Sequence, residues 1–176
     1  QPEIEVPAAP RPPKEPADKA SQDKYQRAMQ AWDRDVKPEA ERKKRELHEA
    51  VKKSLQALSP QALRDNRIDA VIFSNTTGNL PLPDLQGFAD WVRSGGAFIG
   101  MHSATDTLKG ALPYTEMICG IFEGHREQVP VKLHAGDKEH PANAGIGAIW
   151  TLAQEEMYLI KQHDRNLVRS IWFMRH

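Results

Sequence analysis

Gly95-Gly96-Ala97-Phe98-Ile99-Gly100-Met101-His102-Ser103-Ala104-Thr105-Asp106-Thr107 is an apolar run that follows a glycine pair and ends abruptly in polar residues. Ala97 to Met101 has the length and composition of a strand buried on both faces, the kind found in parallel sheets. Open α/β sheets bind ligands just beyond the carboxyl ends of their strands. His102, Ser103, Asp106 and Thr107 therefore fall at a candidate site.

Upstream, Ile68 to Phe73 reads as a second Val/Ile-rich strand, and Asn75-Thr76-Thr77-Gly78-Asn79 as the polar loop at its end. Asp84 is positioned to cap a helix running to Ser94, with Leu85, Phe88, Ala89 and Val92 on its buried face and Gly95 as its stop. Strand, helix and strand with short links predict a parallel pair joined by a right-handed crossover. Ser59-Pro60 carries the signature of a short helix opening just before this unit. Downstream, Tyr114 to Ile118 is expected to be helical. Val129 to His134 alternates like a half-exposed strand, and Ile149 to Leu152 and Leu167 to Phe173 supply further strands. Gly145-Ile146-Gly147 lacks the third glycine of a dinucleotide fingerprint, and Gly95-Gly96 ends a helix instead of opening one, so neither is a phosphate loop.

The first 58 residues have a different character. Pro2, Pro7, Pro10, Pro12, Pro13 and Pro16 crowd residues 1–20, which are expected to form an extended tail or linker. Residues 21–36, with Ser21 as a cap, put Tyr25, Ala28, Met29, Trp32 and Val36 on one helical face. Pro38 fits the first turn of a second helix over 39–58, striped with Leu47, Ala50, Val51, Leu55 and Leu58. Such narrow stripes call for support from the main domain or from a second chain, so a homo-oligomer built through 21–58 is one expectation. In a chain of 176 residues, 24 Lys+Arg balance 24 Asp+Glu, which argues against a nucleic-acid partner or an anionic membrane surface. No apolar run approaches the ~18 residues of a membrane span. The lone Cys119, in an apolar setting, excludes an internal disulfide and a Cys-based zinc motif and is expected to be a small core thiol. The chain begins at Gln1 with no visible signal peptide, which leaves a cytoplasmic or an exported location equally open.

His102 follows the strand as the reactive residue of a nucleophile elbow does, and imidazole can serve there as acid, base or ligand, or can fix the turn. Asp106 can orient that imidazole or cap the next helix. His125 and His140 lie in polar, turn-rich segments. With His102 they could form a three-nitrogen site for a divalent metal such as zinc, although no H-E-x-x-H pair is present. Glu156, beside Glu155, can act as an acid or base. Asn75, Thr76, Thr77, Ser103, Thr107 and Tyr158 are candidate ligands for the hydroxyls of a small molecule.

Taken together, these segments resemble the ThuA (trehalose-utilisation) family of the class I glutamine amidotransferase-like superfamily. The matching pieces are Asn75-Thr76-Thr77-Gly78, the Gly95 to Thr107 block, Tyr114-Thr115-Glu116-Met117, Gly120-Ile121-Phe122-Glu123-Gly124-His125, His140-Pro141 and Glu155-Glu156-Met157-Tyr158, in family order from about Ser59 onward. The resemblance implies an α/β, flavodoxin-like parallel sheet sandwiched by helices. It implies a role in bacterial disaccharide or keto-sugar catabolism, and a pocket formed by His102, Asp106, His125, His140 and Glu156. Amidotransferases of this superfamily carry a Cys at the elbow. His102 stands there in this chain, so glutamine hydrolysis through a thiolate is not expected. The family's usual opening strand has no counterpart in residues 1–58, its closing strand and helix would lie beyond His176, and its usual Asp before the Glu is Glu155. These departures lead to the expectation of an α/β domain over 59–176 truncated at both ends, or completed by a second chain. A non-catalytic carbohydrate- or partner-binding module is the alternative to a hydrolase, lyase or isomerase.

Overall fold

The computed structural model describes residues 7–15, 17–164, 166 and 172–174. The chain forms two compact units, Gln1–Gln56 and Ala57–His176.

The first unit is a helical run. Helix α1 (Lys19–Ala31) passes through a π-helical turn (Trp32–Val36) into α2 (Lys37–Ser54). Asp18, not Ser21, is the cap, its carboxylate accepting from the Ser21 amide at 2.7 Å. Pro38 does not separate two helices. A proline clashes with the carbonyl four residues back in a regular helix. The wider turn ahead of it, in which the Lys37 amide donates to the Trp32 carbonyl, makes room for the ring. Described residues of the tail lie along this helix, where the Trp32 indole donates to the Pro7 carbonyl at 3.2 Å. No residue of α1, the π turn or α2 is buried.

The second unit is mixed α/β. A short 3-10 turn (Leu55–Leu58) leads to α3 (Pro60–Asp65), capped by Ser59. Strand β1 (Ala70–Ser74), helix α4 (Leu85–Arg93) and strand β2 (Ala97–Met101) form the expected β-α-β unit, with β1 and β2 parallel and Val71 opposite Phe98. Asp84 caps α4 by accepting from the Gly87 amide at 2.8 Å. Gly95 closes the helix at φ +118°, a conformation that only glycine adopts easily. A 3-10 turn (His102–Asp106) and α5 (Leu112–Ile118) follow. Then come β3 (Ile121–His125), β4 (Val129–Ala135), a 3-10 turn (Pro141–Asn143), β5 (Ile149–Glu155), β6 (Tyr158–Lys161) and β7 (Trp172–Met174). β3 pairs antiparallel with β6, and β4 lies between β5 and β7, also antiparallel. Trp172 and Phe173 of the expected 167–173 segment fall in β7, and 167–171 lie outside the described residues.

The core joins Leu63 of α3, Val71 and Phe73 of β1, Phe88 and Trp91 of α4, Ala104, Leu108, and Tyr114 of α5. Phe73 stacks on Phe88 at 6.0 Å and meets Phe98 edge-on at 5.2 Å. Burying each such ring stabilises the fold by about 1.5–3 kcal/mol. Trp91 is buried where Val92 was expected to be; Val92 and Leu85 are half-buried at the margin.

Two expectations are corrected. β2 is not buried on both faces. Helices α3, α4 and α5 contribute to the single cluster that contains Val71 and Phe73, and side chains alternate along a strand. Ile72 (56%), Ile99 (47%) and Met101 (51%) therefore stand exposed on the other face. Cys119 is half-buried, not a core thiol. It ends α5 in the left-handed conformation (φ 51°), and its thiol lies 3.8 Å from the Asp164 carbonyl.

Candidate functional site

Both parallel strands end in a left-handed residue. Asn75 (φ 54°) follows β1 and His102 (φ 52°) follows β2. Asn tolerates this conformation well; for His it costs up to about 1–2 kcal/mol, and Arg67, Leu108, Cys119 and Gln162 adopt it too. The sharp reversal leaves the His102 imidazole exposed at the strand end. Tyr114, buried beneath, donates its hydroxyl to the Ala104 carbonyl at 2.9 Å and so ties α5 to the turn that carries His102. Burial pushes the Tyr114 phenol up to about 12, so this donor stays protonated across the physiological range.

The loops after the two strands are laced together. The Gly78 amide donates to the Asp106 carbonyl at 3.2 Å, and the Leu108 amide to the Gly78 carbonyl at 2.8 Å. Thr76 and Thr107 hydroxyls bond at 2.8 Å, with Thr107 wholly buried. Thr107, expected at a ligand surface, is thus an internal brace, and Thr76 is its partner. The Asp106 carboxylate accepts from the Thr77 hydroxyl and pairs with Lys109 at 2.5 Å. The Lys109 bond first, then the Thr77 bond, hold its carboxyl below the ordinary value of 3.8. Asp106 is not the cap of α5, which begins after Ala111 with no side-chain cap. Lys109 also lies 5.3 Å from the centre of the Phe122 ring. Asn75 and Ser103 flank this network, Asn75 exposed and Ser103 half-buried.

β3 packs against the His102–Asp106 turn and brings its partner β6 with it. Tyr158, the first residue of β6, sits opposite His125 in the ladder. Its hydroxyl lies 2.8 Å from His102 Nδ1. The Tyr158 ring is 4.7 Å from that of Phe122 and 6.1 Å from that of His125, onto which it stacks. Glu156, in the turn between β5 and β6, has its Oε1 3.9 Å from His125 Nε2, and its charge bears on the Tyr158 phenol. Burial, then the charge of Glu156, raise the Tyr158 phenol above its ordinary value. Glu155 is occupied differently, accepting from the Glu156 amide at 2.8 Å.

His102, Tyr158, Glu156 and His125 therefore form one cluster, with Thr77, Asp106 and Lys109 beside it. His140 has another task. It caps the 3-10 turn at Pro141–Asn143, its Nδ1 accepting from the Ala142 amide at 3.2 Å. Among the described residues, no group of three or more His, Cys, Asp and Glu side chains could hold a metal ion, so His102, His125 and His140 do not assemble as a zinc site. The sequence reading missed Lys109 and Phe122. A lysine three residues after an aspartate was the available signal for the first; the second lies in the Gly120–His125 piece of the family resemblance, but β3 was not recognised as a strand, so its side chain was given no role.

Fold and site define a mixed α/β domain that displays a histidine at the strand-to-turn position. The chain belongs to the ThuA family, described as trehalose utilisation, whose family model matches residues 19–174. The match starts well before Ser59 and takes in the helical segment as well. The chain is also similar to a solved protein from Bacteroides uniformis ATCC 8492 described as ThuA-like, with 19% identity and a TM-score of 0.46 over 62% of this chain and 45% of that one. It thus spans less than half the length of that protein. No curated protein matches it significantly. Among the described residues no helix is long and apolar enough to cross a membrane.

Proposed function

We propose that this chain is a sugar-processing domain of flavodoxin-like architecture, in which His102 acts as general acid/base on a disaccharide or keto-sugar derivative. One observation carries the reading: an imidazole on strained, left-handed backbone at the end of a parallel strand, hydrogen-bonded to Tyr158 beside Glu156 and His125. Acid/base work needs an imidazole or carboxylate held within reach of partners, which is what this cluster supplies. Glu156 is the second catalytic group. Asn75, Thr77, Ser103 and Tyr158 offer hydroxyl and amide groups to a sugar, while Asp106, paired with Lys109 and Thr77, stiffens the rim. Hydrolysis, elimination and isomerisation beside a carbonyl all suit this set. A thiolate amidotransferase does not, since the elbow carries His102 and the one cysteine caps α5.

The domain proper spans 59–176, preceded by a tail (1–20) and a helical extension (21–58) that is suited to self-association. The exposed Ile72, Ile99 and Met101 favour a second reading, in which the domain binds a sugar or partner without turning it over. Incubation with trehalose, other disaccharides and their keto derivatives, followed by NMR of the products, tests the first reading. Conversion of at least one keto-sugar is expected. Thermal stabilisation by a sugar that is never consumed would favour the binding module.

A further inference from the structure

Tyr25 and Trp32 share one stripe of the first helical run and are half-buried, although nothing in that run is fully buried. The proline-rich tail lies against this stripe. The Trp32 indole N–H donates to the Pro7 carbonyl at 3.2 Å, across 25 residues of sequence. Closer to the start of α1, Pro10 and Pro13 line one hollow with Tyr25 and Ala28. Residues 7–14 carry no regular secondary structure. The rings fix φ at Pro7, Pro10, Pro12 and Pro13, and they confine Ala9 and Arg11 before them, which favours polyproline II at three residues per turn. Pro7, Pro10 and Pro13 then share one edge of the tail and Pro12 lies off it. Exposure agrees: Pro10 and Pro13 are half-buried, Pro12 is exposed, and Pro7, also exposed, meets the helix through its carbonyl. The lengths agree too. Pro7 to Pro13 spans about 19 Å as polyproline II, and Ser21 to Trp32 about 16 Å as helix. An aromatic surface that offers a donor to the free carbonyls of such a segment is how proline-rich peptides are recognised. We infer that the Tyr25–Trp32 face of α1 is a binding site for a proline-rich peptide, and that residues 7–13 of the chain's own tail fill it as an intramolecular ligand. The inference does not depend on the sugar reading. Docking such a tail costs little entropy, because its prolines restrict the free chain as well.

NMR of the full-length chain labelled with 15N at its 4 tryptophans reads the indole N–H signals, that of Trp32 being identified with Trp32→Phe. In the wild type, NOEs are expected from the Tyr25 ring to Pro10 and Pro13, together with a Trp32 signal that does not move on dilution. Pro10→Gly/Pro13→Gly keeps the acceptor carbonyl of Pro7 but removes the two seated rings. It is expected to shift the Trp32 signal and to speed exchange of its proton about fivefold, the loss of one neutral hydrogen bond. Pro12→Gly, at the exposed ring, is expected to leave both as in the wild type. A synthetic peptide of residues 7–14, added in excess to the double variant, should return the Trp32 signal toward its wild-type position. The same peptide should do little to the wild type, where the site is filled. Missing NOEs in the wild type, a double variant that matches the wild type, a Pro12→Gly variant as altered as the double variant, or a peptide with no effect on the double variant overturns the inference. A Trp32 signal that moves on dilution overturns the intramolecular assignment and puts the tail of a second copy in the site.

Discussion

His102, the proposed acid/base, stands on left-handed backbone, as do Arg67, Asn75, Leu108, Cys119 and Gln162. At φ 52° its Cβ opposes the backbone, and glycine would not. His102→Gly and His102→Ala both remove the imidazole, so comparing them isolates the strain. The glycine variant should be more stable than the alanine variant by about 1 kcal/mol in urea unfolding, and neither should turn over substrate. Equal stabilities would mean that the backbone is relaxed there. The position of His102 was legible because an apolar run ending in a polar residue marks a strand end. Its partner was not. Asp106 is close in sequence but is taken by Lys109 and Thr77, while Tyr158 lies 56 residues away and reaches the site only through the β3–β6 pairing. Thr107 misled for a related reason: a polar side chain beside a site can be spent on a neighbouring loop, and periodicity does not reveal which.

Helix α4 shows how much of an element local chemistry can specify. Asp84 caps it, Phe88 and Ala89 face inward, and Gly95 ends it, as the sequence indicates. Asp84→Ala should cost about 1 kcal/mol of stability, while Asp84→Asn, which can still accept from the Gly87 amide, should cost little. Gly96 is a stricter case. A Cβ there would sit 2.5 Å from the Trp91 ring, so Gly96→Ala should cost roughly 1–3 kcal/mol through overpacking. A wild-type midpoint for Gly96→Ala would show that Trp91 can move aside. β3 and β6 carried no comparable signal. Each is 5 residues or fewer, and Glu123 and Gly124 interrupt the apolar pattern of β3, where the ladder also shifts register. They form because pairing and the Phe122–Tyr158 contact supply what propensity does not.

At the scale of the whole molecule, the two units should differ in stability. Residues 19–54 form helices with no buried side chain, held by exposed ion pairs such as Arg42 with Glu39 and Glu46. Exposed pairs contribute at most about 1 kcal/mol each, and helices draw most of their stability from packing. Hydrogen exchange on the intact chain should therefore find weak protection across α1 and α2 and strong protection in β1, β2 and α4, around Phe73, Phe88 and Tyr114. Strong protection of α1 and α2 that grows with protein concentration would instead reveal self-association through the helices. The strand-helix-strand order was readable from turn and cap residues, but the open face of β1 and β2 was not. An apolar run such as Ala97 to Met101 shows that a strand can be buried on both sides, not that a second layer lies over it. The acid/base site is tested most directly by comparing kcat/KM of the wild type and His102→Ala on whichever keto-sugar the wild type converts, with unfolding curves run in parallel. A loss of about 100-fold or more, with the fold intact, is the expected result; turnover equal to the wild type would contradict it.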